Sequence, residues 1–113
     1  MLFTLSSCIS EDAGEARSWE SLSLAGKRLE LIDDERIETY ALAKEGWAST
    51  VIGYRHGAVT GPVMYWKIAD GNLLLSESHD FDTIEAIPPP RVSGAILTVR
   101  RGLFETEKFR LSN

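Results

Sequence analysis

The chain offers few groups able to do chemistry, and Glu77 comes first among them. Gly61–Ser78 reads as a β-hairpin turning at Asp70-Gly71, because Asp-Gly between two strand-like runs suits a type I′ turn with positive φ at both central residues. That register sets Ala69 against Asn72, Ile68 against Leu73, Trp66 against Leu75 and Met64 against Glu77. Side chains alternate between the faces of a strand, so Glu77 shares a face with Met64, Trp66, Ile68, Leu73 and Leu75. A carboxylate ending an apolar stripe could meet a ligand or act as a base with a raised pKa. It could equally be solvated at a mouth or paired with an arginine.

His56 and His79 are the two histidines, beside Arg55 and Asp80. With Asp80 and Asp82 they supply ligating groups, but their spacing fits no standard metal site. His79 and Asp80 are adjacent, and neighbouring side chains on a strand point apart, so they are not read as a catalytic dyad. Exposed loop positions are the expectation for both histidines. Tyr40, Tyr54, Tyr65, Trp47 and Trp66 form an aromatic set on three neighbouring strands that could line a pocket or fill a core. Glu77, Trp66, Met64, Tyr40 and Tyr54 are thus the candidate ligand-binding residues. No catalytic residue, metal ligand or cofactor is indicated, since CxxC, HExxH and Gly-rich phosphate loops are all missing from the sequence.

The elements that would position these residues are short strands. At 113 residues, with 43% hydrophobic and 26% charged residues, the chain is sized and composed like one soluble globular domain. Lys27–Ile32, Arg36–Lys44 and Trp47–Arg55 read as strands, the last with a bend or bulge at Gly53. The hairpin adds two more. Phe81–Ile87, Gly94–Arg100 and Leu103–Leu111 complete eight, with Pro88-Pro89-Pro90 as a stiff connector. The expected fold is all-β: an antiparallel eight-stranded up-and-down meander closing into a small barrel, which removes exposed edges. An open sheet of five or six strands is the alternative. A short helix from Ser10 to about Leu22, capped by Ser10, should turn Trp19 and Leu22 inward. Residues 1–18 then form a tail and short helix, and 19–113 a single β-barrel domain. The outer face of the hairpin, with Val63, Tyr65, Lys67, Leu74 and Ser76, is apolar enough to need cover from the N-terminal segment or a partner.

The net charge of −5 argues against a nucleic-acid binder or an anionic membrane surface, and fits a soluble carrier or a protein that pairs with a basic partner. Base concentrates late, at Arg91, Arg100, Arg101, Lys108 and Arg110; Glu11, Asp12, Glu15, Glu20, Asp33, Asp34, Glu35 and Glu38 crowd the first third. The single cysteine, Cys8, allows no internal disulfide, and no apolar run approaches the ~20 residues of a membrane-spanning helix. Leu5-Ser6-Ser7-Cys8 resembles a bacterial lipobox, but only Met1-Leu2-Phe3-Thr4 precede it, short of a signal peptide. A cytoplasmic protein is expected, a periplasmic lipoprotein being the alternative if the chain start is truncated.

Trp19, Gly26-Lys27 before the first strand, the eight-strand meander and the phrase Tyr65-Trp66-Lys67-Ile68-Ala69-Asp70-Gly71-Asn72-Leu73 together resemble the calycins, the group of lipocalins and small bacterial lipocalin-like domains. The usual Gly-x-Trp opening is missing, since Trp19 precedes Gly26 by seven residues. The resemblance implies a binding cavity inside the barrel for a small apolar or amphipathic molecule. Three functions follow as expectations: a non-catalytic lipocalin-like binding protein; an interaction module, such as an immunity or inhibitor protein with an acidic surface; and a small calycin-type enzyme using Glu77 or a tyrosine. A homodimer is compatible with each.

Overall fold

The computed structural model describes residues 14–113 except Thr83 and Phe104. Its chain is an antiparallel all-β sheet curled into a half-barrel. Among the described residues there are eleven strands: β1 (Glu15–Ala16), β2 (Arg28–Leu31), β3 (Arg36–Leu42), β4 (Trp47–Tyr54), β5 (Val59–Thr60), β6 (Met64–Ala69), β7 (Asn72–Ser76), β8 (Ile84–Ile87), β9 (Arg91–Ser93), β10 (Ile96–Arg101) and β11 (Glu105–Ser112). The order is β1-β9-β10-β11-β2-β3-β4-β6-β7-β8, and β5 pairs with β4. β2, β3, β4, β6, β7, β8, β10 and β11 match the eight strands read from periodicity. The three extra strands are two or three residues long, too short to show alternation.

The sheet does not close through a backbone ladder, which corrects the expected barrel. β8 ends the sheet at one edge, and the chain leaves it through Pro88-Pro89-Pro90 to start β9 near the other. Proline carries no N–H, so this connector cannot donate to a ladder across the gap. Trp19 spans the seam instead: its indole N–H donates to the carbonyls of Ile87 at 2.9 Å and Pro88 at 3.1 Å.

The expected N-terminal helix is also corrected for the described part of that segment. Glu15 and Ala16 pair with Val92 and Arg91 in β9, and only a single 3₁₀ turn forms, at Glu20–Leu22. Gly14 explains the strand: it adopts φ +74° and lies so close to the chain that an added Cβ would sit 2.6 Å from the Val92 carbonyl oxygen. Ser18 and Ser21 satisfy local groups instead of extending a helix, as when the Ser21 hydroxyl donates to the Ser18 carbonyl at 2.7 Å. Trp19 and Leu22 are buried, as their spacing suggested. Ser10 and the Leu5-Ser6-Ser7-Cys8 stretch lie outside the described residues.

The hairpin forms in the expected register, with Ala69 opposite Asn72, Ile68 opposite Leu73 and Trp66 opposite Leu75. Asp70 at φ +55° and Gly71 at φ +81° make its turn. Gly53 is where β5 comes closest, because a Cβ there would lie 2.3 Å from the Ala58 carbonyl oxygen. β4 is shared between two partners, β6 at Trp47 and Ala48 and β5 at Ile52 and Gly53. Between these pairings the Thr50 hydroxyl donates to the Pro62 carbonyl at 2.5 Å.

The concave side holds the core. Trp19, Leu29, Leu31, Tyr40, Leu42, Ala48, Leu73, Leu75, Leu97, Val99 and Phe109 are buried there, with Met64, Trp66 and Ile68 packed against them. No helix among the described residues is long and apolar enough to cross a membrane.

Candidate functional site

Charged residues take core-facing positions at one end of the half-barrel. The alternation that turns Tyr40 and Leu42 inward on β3 also turns Glu38 inward. The same rule continues Leu97 and Val99 to Arg101 on β10, and Phe109 back to Glu107 on β11. On β8, Glu85 lies opposite inward-facing Leu75. The three carboxylates meet around the Arg101 guanidinium.

Arg101 Nε and Nη2 each donate to the Glu85 carboxylate at 2.7 Å, a bidentate pair. Its Nη1 donates to Glu38 at 2.5 Å and to Glu107 at 2.9 Å. Arg36 closes the network with one donor to Glu38 at 2.8 Å and another to Glu107. The Tyr40 hydroxyl donates to Glu38 at 2.7 Å. Two guanidiniums thus serve three carboxylates. The pair Arg101–Glu85 spans the open seam between β10 and β8, so side chains hold the sheet shut where the backbone does not.

Electrostatics follow from this packing. Burial disfavours the charge on Arg101, yet its bonds to Glu85 and the charge of Glu38 outweigh burial and raise its pKa. Burial acts to raise the Glu107 carboxyl, but hydrogen bonds from Arg36 and Arg101 hold it below the usual carboxylate range. Tyr40 is pushed up, first by burial and then by the Glu38 charge. No buried side-chain nitrogen or oxygen lacks a partner among the described residues. The buried polar atoms of the network are thus all engaged, and none of them is left aimed at a ligand.

The interior beside this network is filled. The void among Trp19, Leu29, Tyr40, Leu73, Leu97 and their neighbours measures about 10 Å³, barely the space of one water. Tyr40, Trp66 and Met64 belong to or pack against this core, and the Trp66 indole N–H donates to the Ala43 carbonyl at 2.9 Å. Glu77 and Tyr54 are not brought to them. β7 ends at Ser76, so the Met64–Glu77 pairing does not form and Glu77 is exposed beyond the strand. Tyr54 stands exposed at the end of β4.

The loop after β7 explains part of the hairpin's outer face. Ser76 and Ser78 exchange hydrogen bonds, turning the chain back over β6. His79 then meets the Tyr65 ring edge-on at 6.2 Å, and Lys67 Nζ stands 4.3 Å from the centre of the Phe81 ring. This loop covers the Tyr65 side of that face, whereas Val63 stays exposed. His79 and Asp80 do meet, at 3.2 Å, because they sit in a turn instead of a strand; both are exposed. No group of His, Cys, Asp or Glu able to hold a metal occurs among the described residues.

The convex face divides in two. Over β3, β4 and β5 it is apolar: Trp47, Val51 and Val59 are each at least 40% exposed, and Val63 beside them is 58% exposed. Over β9, β10, β11 and β2 it carries Arg91, Arg100, Lys108, Arg110 and Arg28. The described acids of the first third do not form one surface: Glu38 is interior, and Asp33, Asp34 and Glu35 make the β2–β3 turn. The Asp33 carboxylate accepts from the Arg36 and Glu35 amides there, and these bonds lower its pKa. Arg101, the hub of the interior network, falls between the strands expected at Gly94–Arg100 and Leu103–Leu111, although the alternation Leu97, Val99, Arg101 places it inside. No known protein family, no curated protein and no solved structure matches the chain.

Proposed function

We propose that this protein is a non-catalytic interaction module, a calycin-like curled sheet that works through its convex face. The filled interior is the observation that carries the reading. Small-ligand pockets typically occupy about 300–1,000 Å³, against the interior void of about 10 Å³. The end where a carrier would open is occupied by Arg101 and its three carboxylates. What remains available for recognition is the outside, where Trp47, Val51, Val59 and Val63 leave an apolar patch in water. Trp47 is the type of side chain that commonly anchors a protein interface, and the three valines give it an apolar surround. An enzyme reading finds no support in the interior, where each carboxylate is engaged by an arginine.

Native mass spectrometry and affinity capture with a surface variant test the proposal. The purified protein should fly at the mass of the bare chain, since nothing is held inside. Val51→Lys with Val63→Lys should leave the thermal melt unchanged while removing partners captured by the wild-type protein. A retained small molecule, or capture indifferent to the paired substitution, would overturn the reading.

A further inference from the structure

We propose that the cationic half of the convex face, over β9, β10, β11 and β2, binds an acidic protein segment. This rests on the reading of the convex face as the working surface and adds the chemistry of the partner. Arg91 faces outward opposite Thr98, and Thr98 opposite Lys108. Arg100 lies opposite Thr106, Ile96 opposite Arg110, and Arg28 opposite Ser112. With strands about 4.8 Å apart and about 3.4 Å per residue, five cations fall within a patch roughly 20 Å across. Glu30, opposite Arg110, is the acid among them. None of the five forms an ion pair with a described residue; Arg91 gives one donor to the Gly14 carbonyl at 2.7 Å.

This segregation runs against the net charge of −5. Exposed acids lie in turns, at Asp34, Glu35, Glu45 and Asp70, and on strands, where Glu15 and Glu105 lie opposite core-facing Val92 and Arg101 and Glu30 shares the outward face. Like charges on neighbouring strands repel, and a carboxylate-bearing partner would relieve that repulsion. Two open hollows flank the patch, one of about 330 Å³ between Arg91 and Arg100, the other of about 340 Å³ between Arg28 and Val51. The second joins the cationic half to the apolar half, so a segment carrying both acidic and aliphatic side chains matches the surface. Nucleic acid fits less well, because the described residues of these four strands include no exposed aromatic on which a base could stack. An anionic bilayer would meet the acidic turns as well as the convex strands.

Fluorescence anisotropy with a labelled peptide alternating Glu and Leu tests this. The wild-type protein should bind at low salt, and added salt should weaken binding. Lys108→Glu with Arg110→Glu should weaken it at least about tenfold. Arg91→Glu with Arg100→Glu, on other strands, should do the same, and both variants should keep the wild-type melt. No binding, binding indifferent to both charge reversals, or tighter binding to oligothymidylate or to phosphatidylcholine vesicles containing phosphatidylserine would overturn the proposal. If capture is lost with Val51→Lys and Val63→Lys while the peptide titration ignores charge reversal, the interaction reading stands and the acidic partner falls. Capture that ignores the apolar substitutions sinks the interaction reading itself.

Discussion

Replacing Arg101 by methionine should be among the most destabilising single changes on the concave face. The arginine side chain is 15% exposed and makes four hydrogen bonds to three carboxylates. Methionine keeps much of the stem and removes every donor. Glu85 is 40% exposed, so water compensates its loss and that part of the network should be worth only about 0–1 kcal/mol. Glu38 is buried at 6% exposure and keeps only Arg36 and Tyr40. Losing a charged partner at such a site brings the whole change to about 3–5 kcal/mol. At about 4 °C per kcal/mol for a domain of this size, Tm should fall by about 12–20 °C. Thermal and urea melts followed by circular dichroism measure it. A loss below about 1 kcal/mol would put the network in the class of surface ion pairs and refute the reasoning.

The same variant carries a pH signature. Glu107 has a folded pKa below its unfolded value, despite burial, because Arg36 and Arg101 donate to it. Its contribution to stability is therefore present above the unfolded carboxylate pKa and is lost as pH falls through the folded one. Arg101→Met removes one of the two donors, so wild type and variant should differ most near neutral pH. The difference should shrink as pH drops through the carboxylate range. A difference that stays constant down to acid pH would assign the loss to packing alone.

Further expectations concern the seam and the turns. Trp19→Phe keeps most of the ring but leaves the Ile87 and Pro88 carbonyls without their indole donor; it should cost about 1–3 kcal/mol in a urea titration, and a cost under about 0.5 kcal/mol would remove Trp19 as the seam's fastening. Gly53→Ala drives a Cβ to 2.3 Å from the Ala58 carbonyl oxygen and should cost about 1–3 kcal/mol. Gly71→Asn meets nothing within 4 Å and keeps a residue tolerant of positive φ, so it should cost less than about 1 kcal/mol; the reverse order of these two would contradict the close approach of β5. Leu97→Ala, at a fully buried position, should cost about 2–5 kcal/mol.

Much of the fold was legible where a strand had room to alternate. Asp70-Gly71 fixed its hairpin because turn and apolar stripe agreed on one register. β1, β5 and β9 escaped because a strand of two or three residues has no period. Over the described residues the expected helix gives way because Ser10, Glu11 and Asp12 look like a helix start, whereas Gly14, pressed against Val92, makes an edge strand possible. Glu77 drew attention because its parity was extended one residue past the true end of β7. The same parity, applied to β3, β10 and β11, would have found Glu38, Arg101 and Glu107. Ending that strand at Arg100 hides Arg101, and nothing local shows that Glu85, sixteen residues earlier, is its partner.

Charge at core-facing positions carries a consequence for where recognition can occur. A carrier of an apolar guest needs a hollow to receive it and a mouth that can open. Here the seam end carries two guanidiniums against three carboxylates, and each carboxylate accepts from at least one of them. Opening that end would separate buried charges from their partners, and so oppose the burial of any apolar guest within. An interior that small and that self-satisfied does structural work: it holds a curved sheet at fixed curvature without a closing ladder. Fixed curvature keeps the exposed strands of the convex face in constant relation, with Arg28 and Val51 lining opposite sides of one hollow. Arg101→Met therefore has a second readout. If the clasp sets the geometry of the outer face, the variant, studied well below its melting temperature, should bind the acidic peptide more weakly, although the substituted residue lies on the opposite side of the sheet. Unchanged affinity in a folded variant would confine the network to stability.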